Sequence, residues 1–258
     1  MIKTRILLIC FQLILITNIL QVSYAGGTSN ISSKHLDILL KNEENDYYLQ
    51  RLKNGNYDYF YSGNNKLELQ LIGFTGGSHL GTLYMLPLSN KNVAYRLDIG
   101  GSINITTKED SLIALNDNEF IVTTNTGGTG THHNYDVILK YENNKIEPLV
   151  AFPINGYDPV IGSGMVMRYK LANIQSKDMI IKLQILFEIE FGDESAKERT
   201  ELLNQFGFTK NKEIVEITID ANRNIEFNGA NSIKKHFDRF LDKNNLSELI
   251  KIDKFVSK

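Results

Sequence analysis

Between about residues 57 and 191, apolar and polar residues alternate with a period of two, broken by short Asn- and Gly-rich segments. Successive side chains of an extended chain point to opposite faces, so this period predicts half-buried strands. The aromatic run Tyr57 to Tyr61 precedes a turn at Ser62-Gly63-Asn64-Asn65, after which Lys66 to Leu71 alternates cleanly. Asp136 to Tyr141 and Lys145 to Leu149 flank Glu142-Asn143-Asn144, where Asn tolerates the positive φ of a tight hairpin. In Met179 to Phe191, residues Ile181, Leu183, Ile185, Phe187, Ile189 and Phe191 fall on one face. Lys182, Gln184, Glu188 and Glu190 fall on the other, with Leu186 the exception. One dry face and one wet face are the pattern of an antiparallel sheet.

Helical spacing is confined to the ends. Ser33 to Lys41 turns Leu36, Leu39 and Leu40 inward. Glu194 to Phe206 has acids near its start, can direct Leu202, Leu203 and Phe206 inward, and is closed by Gly207. Glu213 to Asn228 reads as a hairpin, with Val215, Ile217 and Ile219 on one face and Ile225 and Phe227 returning. Ile233 to Leu241 is an amphipathic helix. These elements predict a mainly β fold, an antiparallel sandwich or an open barrel of hairpins, over residues 26–193. A ββα or α+β appendage follows at 194–258, either separate or packed on the same core, with no Pro- or Gly-rich linker to mark the boundary.

Residues 1–25 follow a different pattern. Lys3 and Arg5 precede the apolar run Ile6 to Ile16, and the segment ends in Ser23-Tyr24-Ala25, with small residues where a signal peptidase reads. A basic head, a short apolar middle and a small-x-small end predict a secretory signal peptide cleaved after Ala25. Gln12, Thr17, Asn18 and Gln21 interrupt what a membrane anchor would need. Cleavage also removes Cys10, the chain's only cysteine, and excludes disulfides, zinc-thiolate sites and a Cys nucleophile from the mature protein. The expected location is therefore periplasmic or secreted, with no membrane span after cleavage.

Composition adds limits rather than an activity. With 28 Lys and Arg against 30 Asp and Glu, the chain lacks the basic excess of a nucleic-acid binder. Its 42% hydrophobic and 22% charged residues are ordinary for a globular domain.

One motif recurs. Thr75-Gly76-Gly77-Ser78 followed by Gly81-Thr82 is echoed by Thr126-Gly127-Gly128-Thr129 followed by Gly130-Thr131, and strand-like runs flank both copies. The first copy lacks the Lys of a phosphate-binding loop, since Thr82 stands there, and Leu80 replaces the last Gly of a nucleophile elbow. Both copies are expected to be hairpin turns. His132 and His133 follow the second turn, and as neighbours on an extended chain they point to opposite faces. If the two turns lie side by side, His79 and one of His132 or His133 converge with Asp136 at one end of the sheet. Gly156-Tyr157-Asp158-Pro159 and Gly162-Ser163-Gly164 read as an irregular connection that offers Tyr157 as a contact. Asp220 to Asn224 matches the first half of a calcium loop, but Ile225 and Asn231 stand where that loop needs a glycine and a bidentate acid.

No catalytic residue, metal site or cofactor is expected from these patterns. The function expected is that of an exported, soluble, β-rich binding protein of the cell envelope, of an inhibitor or immunity type, acting by surface contact. Its partner would be another protein or an envelope polysaccharide. The expected contact residues are Gly76, Gly77, His79, Gly127, Gly128, Thr131, His132, His133, Asp136, Tyr157 and Asp158. Two alternatives stay open: a secreted hydrolase built from His79, His132, His133, Asp136 and Asp158, and a self-associating structural component of the envelope.

Overall fold

A computed structural model of the chain describes residues 31–61, 69–74, 81–99, 113–114, 118–128, 131–160, 163–177 and 179–257. The candidate signal at 1–25, the glycines of the first turn and His79 lie outside these residues.

The described residues are mainly β, as the alternation predicts. They form two open antiparallel sheets. The smaller contains β1 (Asp58–Tyr61), β2 (Leu69–Gly73), β3 (Gly81–Pro87), β4 (Val93–Ile99) and, beyond β4, the last strand β13 (Ile250–Val256). The larger runs in uninterrupted sequence order through β5 (Ile113–Ala114), β6 (Glu119–Gly128), β7 (Thr131–Glu142), β8 (Lys145–Val160), β9 (Met165–Lys177), β10 (Ile180–Phe191), β11 (Lys212–Ile219) and β12 (Ile225–Asn228). The predicted hairpin between β7 and β8 turns on Asn143 and Asn144, at φ 52° and 57°.

The layers follow from which faces are apolar. Leu71, Leu83, Tyr95 and Leu97 of the small sheet share one core with Phe120, Val137, Phe152 and Ile185 of the large sheet. The other face of the small sheet, with Ile72, Tyr84 and Leu86, is covered by α1 (Ser33–Asn42) and α2 (Asp46–Lys53) through Ile38, Leu39, Tyr48 and Leu52. On β10 the alternation holds to the residue: Ile181, Leu183, Ile185, Phe187 and Ile189 are buried, and the residues between them are not. That leaves the opposite face of the large sheet wet over β9 to β11.

The elements after residue 193 feed both sheets. Strands β11 and β12 extend the large sheet past β10, and β13 pairs with β4 from Ile250↔Ile99 to Val256↔Val93. Helix α4 (Asn231–Leu241) lies on the inner side of the large sheet and buries Ile233, Phe237, Phe240 and Leu241 in the main core. Helix α5 (Leu246–Leu249) leads into β13.

Three local expectations need correction. Gly156 to Pro159 is not a loop: it continues β8, which runs unbroken to Val160 and pairs with β9. Alternate Gly and polar residues can line an extended strand when its neighbours supply the packing. Helix α3 (Ala196–Gln205) forms but buries none of its residues, and Phe206 is exposed while Phe208 takes the core position. It is held by a reciprocal cap in which Ser195 accepts from the Glu198 amide and Glu198 accepts from the Ser195 amide. The strands that flank the two Gly-Gly copies belong to different sheets, β2 and β3 to the small one and β6 and β7 to the large one.

A buried polar network fastens the helical pair to the small sheet. Glu43, between α1 and α2, accepts from the Tyr84 hydroxyl, from Arg96 at 3.0 Å and from the Asn45 amide at 2.8 Å. Arg96 also donates to Asp98 at 2.9 Å, and Asp98 accepts from Thr82 at 2.9 Å. Among the described residues, no helix is long and apolar enough to cross a membrane.

Candidate functional site

Register places two different surfaces back to back on β7, β8 and β9. His133 pairs with Gly156, and Gly156 with Tyr169, on the inner face. His132 pairs with Tyr157, and Tyr157 with Arg168, on the outer face. The neighbouring histidines thus face opposite ways, as their positions on an extended strand require.

On the inner face, His133 is 2% exposed. Its Nδ1 lies 2.9 Å from the Tyr169 hydroxyl, and the Arg239 guanidinium of α4 meets its Nε2. Arginine can only donate, so Nε2 is the acceptor, and Nδ1 carries the proton that it gives to Tyr169. Asp158 Oδ2 stands 3.5 Å from both His133 Nε2 and Arg239 Nη2. His236 completes the group, with its ring 6.4 Å from His133 and 5.6 Å from Phe187. Burial, reinforced by the Arg239 charge, pushes His133 down to about 3 and His236 down to about 4. Burial holds the Asp158 carboxyl above its usual range, against the pull of Arg239.

Gly156 makes this group possible. A Cβ there would lie 2.5 Å from the His132 carbonyl oxygen and 2.7 Å from both His133 Nδ1 and the Tyr169 hydroxyl. The His133–Tyr169 bond passes over a position that no side chain can fill. Both imidazole nitrogens of His133 are engaged within the protein, so neither offers a lone pair to a substrate. The group links α4 to β7, β8 and β9.

On the outer face, one register row runs Gly127–His132–Tyr157–Arg168–Glu188–Lys212 across six strands. Arg168 lies over the Tyr157 ring at 5.3 Å and pairs with Glu190 at 2.6 Å, and Lys212 pairs with Glu188 at 3.3 Å. The row beside it is Asn134–Asn155–Lys170–Leu186–Ile214, in which Asn134 donates to Asn155 at 3.0 Å. Between the rows is a shallow depression of about 340 Å³ bounded by His132, Tyr157, Lys170, Leu186 and Glu188. Ile214, 59% exposed, extends its apolar margin.

The expected site residues thus separate. His133 and Asp158 meet on the inner side, and His132 and Tyr157 meet on the outer side. Gly127 and Gly128 are strand residues paired with His132 and Thr131 at the hairpin tip. Asp136 is buried on β7 opposite Phe152, beyond a register shift at Asn134/Tyr135, and does not join His133. Sequence reasoning missed Tyr169, His236, Arg239 and Arg168. For two of these a signal existed, since His236 and Arg239 stand three apart on a helix beside the apolar Phe237 and Phe240.

The Asp220 carboxylate, which began the calcium-like pattern, accepts from the Asn224 amide at 2.8 Å and from its side chain at 3.0 Å. These bonds hold it below the usual carboxylate range and close the β11–β12 turn. Arg223 in that turn, at φ 63°, reaches back to the Met179 carbonyl at 2.8 Å and to Glu119. Among the described residues, no group of three or more His, Cys, Asp or Glu is arranged to hold a metal ion. No protein-family model, curated protein or solved structure matches the chain.

Proposed function

We propose that this is an exported binding protein that acts by surface contact, and that it engages another protein through the outer face of the large sheet around Tyr157 and Arg168. The observation that carries this reading is the contrast between the two faces. His133 on the inner face is engaged at both ring nitrogens, whereas the outer rows present an aromatic ring, a stacked guanidinium and two apolar side chains on a face left open among the described residues. Protein contacts are enriched in Tyr and Arg at their centres and ringed by polar groups, and Glu188, Glu190, Lys170 and Lys212 supply such a ring. The basic, apolar and small-residue order of residues 1–25 supports export. An inhibitor or immunity-type role suits a protein that needs export and a self-sufficient core but no active site.

The test is co-purification from an envelope fraction with the tagged full chain as bait. Tyr157→Ala combined with Arg168→Glu should reduce recovery of a stoichiometric partner at least tenfold, because central interface residues often contribute about 2 kcal/mol or more each. Lys234→Ala on α4 should leave recovery intact. Equal recovery with the outer-face variant would exclude this surface as the contact.

A further inference from the structure

We infer that the groove between the first half of α4 and the turn after α3, on the inner side of the large sheet, binds a small amphipathic anion, namely a carboxylate carried on an apolar tail. The groove is open to solvent and offers about 460 Å³, within the range of small-molecule sites. Phe206, Phe208 and Met167 form its apolar wall, and Ser232, Lys235 and His236 form its polar end. Phe206, the residue that ends α3, is partly exposed at the rim.

Two features set this groove apart from a packing defect. Ser232 Oγ and His236 Nε2 are buried without a hydrogen-bond partner. Buried polar atoms are nearly always satisfied, so two orphans beside one groove point to a ligand or solvent group that supplies their bonds. The charge is also one-sided: Lys235 is the only charged residue in the lining, and no acid lines the groove among the described residues. A cationic end and an apolar wall are complementary to an apolar carboxylate. At the start of α4 the Glu213 carboxylate accepts from the Ala230 amide at 3.3 Å. Lys235 supplies the charge. The site is separate from the outer-face contact and stands or falls independently of it.

Octanoate serves as the probe, titrated into the full chain by isothermal calorimetry, with octanol as its uncharged counterpart. Saturable one-site binding is expected, weakened at least tenfold in octanol and at least tenfold in Lys235→Gln. Lys235 is exposed, so this variant should fold, and an unchanged thermal midpoint checks that. Tyr157→Ala should leave octanoate binding unaltered. Absence of saturable binding at millimolar octanoate, equal affinity for octanol, or an unchanged affinity in Lys235→Gln would each overturn the assignment.

Discussion

Lowering the pH from 7 to 4.5 should remove several kcal/mol of folding stability through the buried histidines. His133 and His236 are neutral in the folded protein down to about pH 3 and pH 4. Once unfolded, both take up a proton near 6.5, the ordinary imidazole value. Between those limits the unfolded chain binds more protons, so stability is complete above pH 6.5 and falls as the pH drops, levelling off only near the folded values. Each unit of depression corresponds to about 1.4 kcal/mol, so two units of acidification cost roughly 2–3 kcal/mol at His133 and a little less at the more open His236. Buried His35, also held below its ordinary value by desolvation, acts in the same direction. Asp158, whose carboxyl is held high, opposes them because its folded form accepts a proton more readily. Carboxylates held low, such as Asp220 and Glu198, add to the loss as the pH falls through their ordinary values of 3.8 and 4.5. Urea unfolding at stepped pH reads the effect, and His236→Gln should flatten the slope between pH 6.5 and 4.5. A stability constant across that window would show that the histidines are not buried as neutral groups.

The second large effect is expected at Glu43. Its carboxylate is the acceptor shared by Tyr84, Arg96 and the Asn45 amide, at a site where the Glu43 side chain is fully covered. Glu43→Ala leaves a buried hydroxyl and a largely buried guanidinium without that partner. Removing one member of a buried ion pair costs about 3–5 kcal/mol. Glu43→Gln keeps an acceptor oxygen for Tyr84 or the Asn45 amide and should cost less. Asp98 continues to hold Arg96 in both variants, which sets the loss at the lower end of the range. Denaturant midpoints decide the matter. Losses under about 1 kcal/mol for both variants, typical of surface substitutions, would mean that the network does not fasten α1 and α2 to the sheet.

Much of the fold was legible because a period of two directly encodes which face of a strand is dry. Met179 to Phe191 specified β10 and its buried face, and Asn143-Asn144 specified the β7–β8 turn through the positive φ that asparagine tolerates. Strand order and layering were not legible, since pairing of β13 with β4 joins residues far apart in the chain and leaves no local trace. The extended run Gly156 to Pro159 was misread because Gly and Pro usually interrupt strands. Here Gly156 is required by a contact between two other strands, His133 on β7 and Tyr169 on β9. The candidate site was half visible: opposite faces for His132 and His133 follow from strand geometry alone. Which residues meet each of them depends on the seating of α4 and on the register of β8 with β9, both set by tertiary packing.

Photocrosslinking from the outer face reads out whether a partner sits on it. A photoreactive phenylalanine analogue placed at Tyr157 or at Ile214, in cells expressing the full chain, should give one discrete adduct with an envelope protein, and the same analogue at Lys234 should give none. An adduct that forms from Lys234 and not from Tyr157 or Ile214, or outer-face positions that yield no adduct while the chain is present in the envelope, would rule out the outer face as the contact surface.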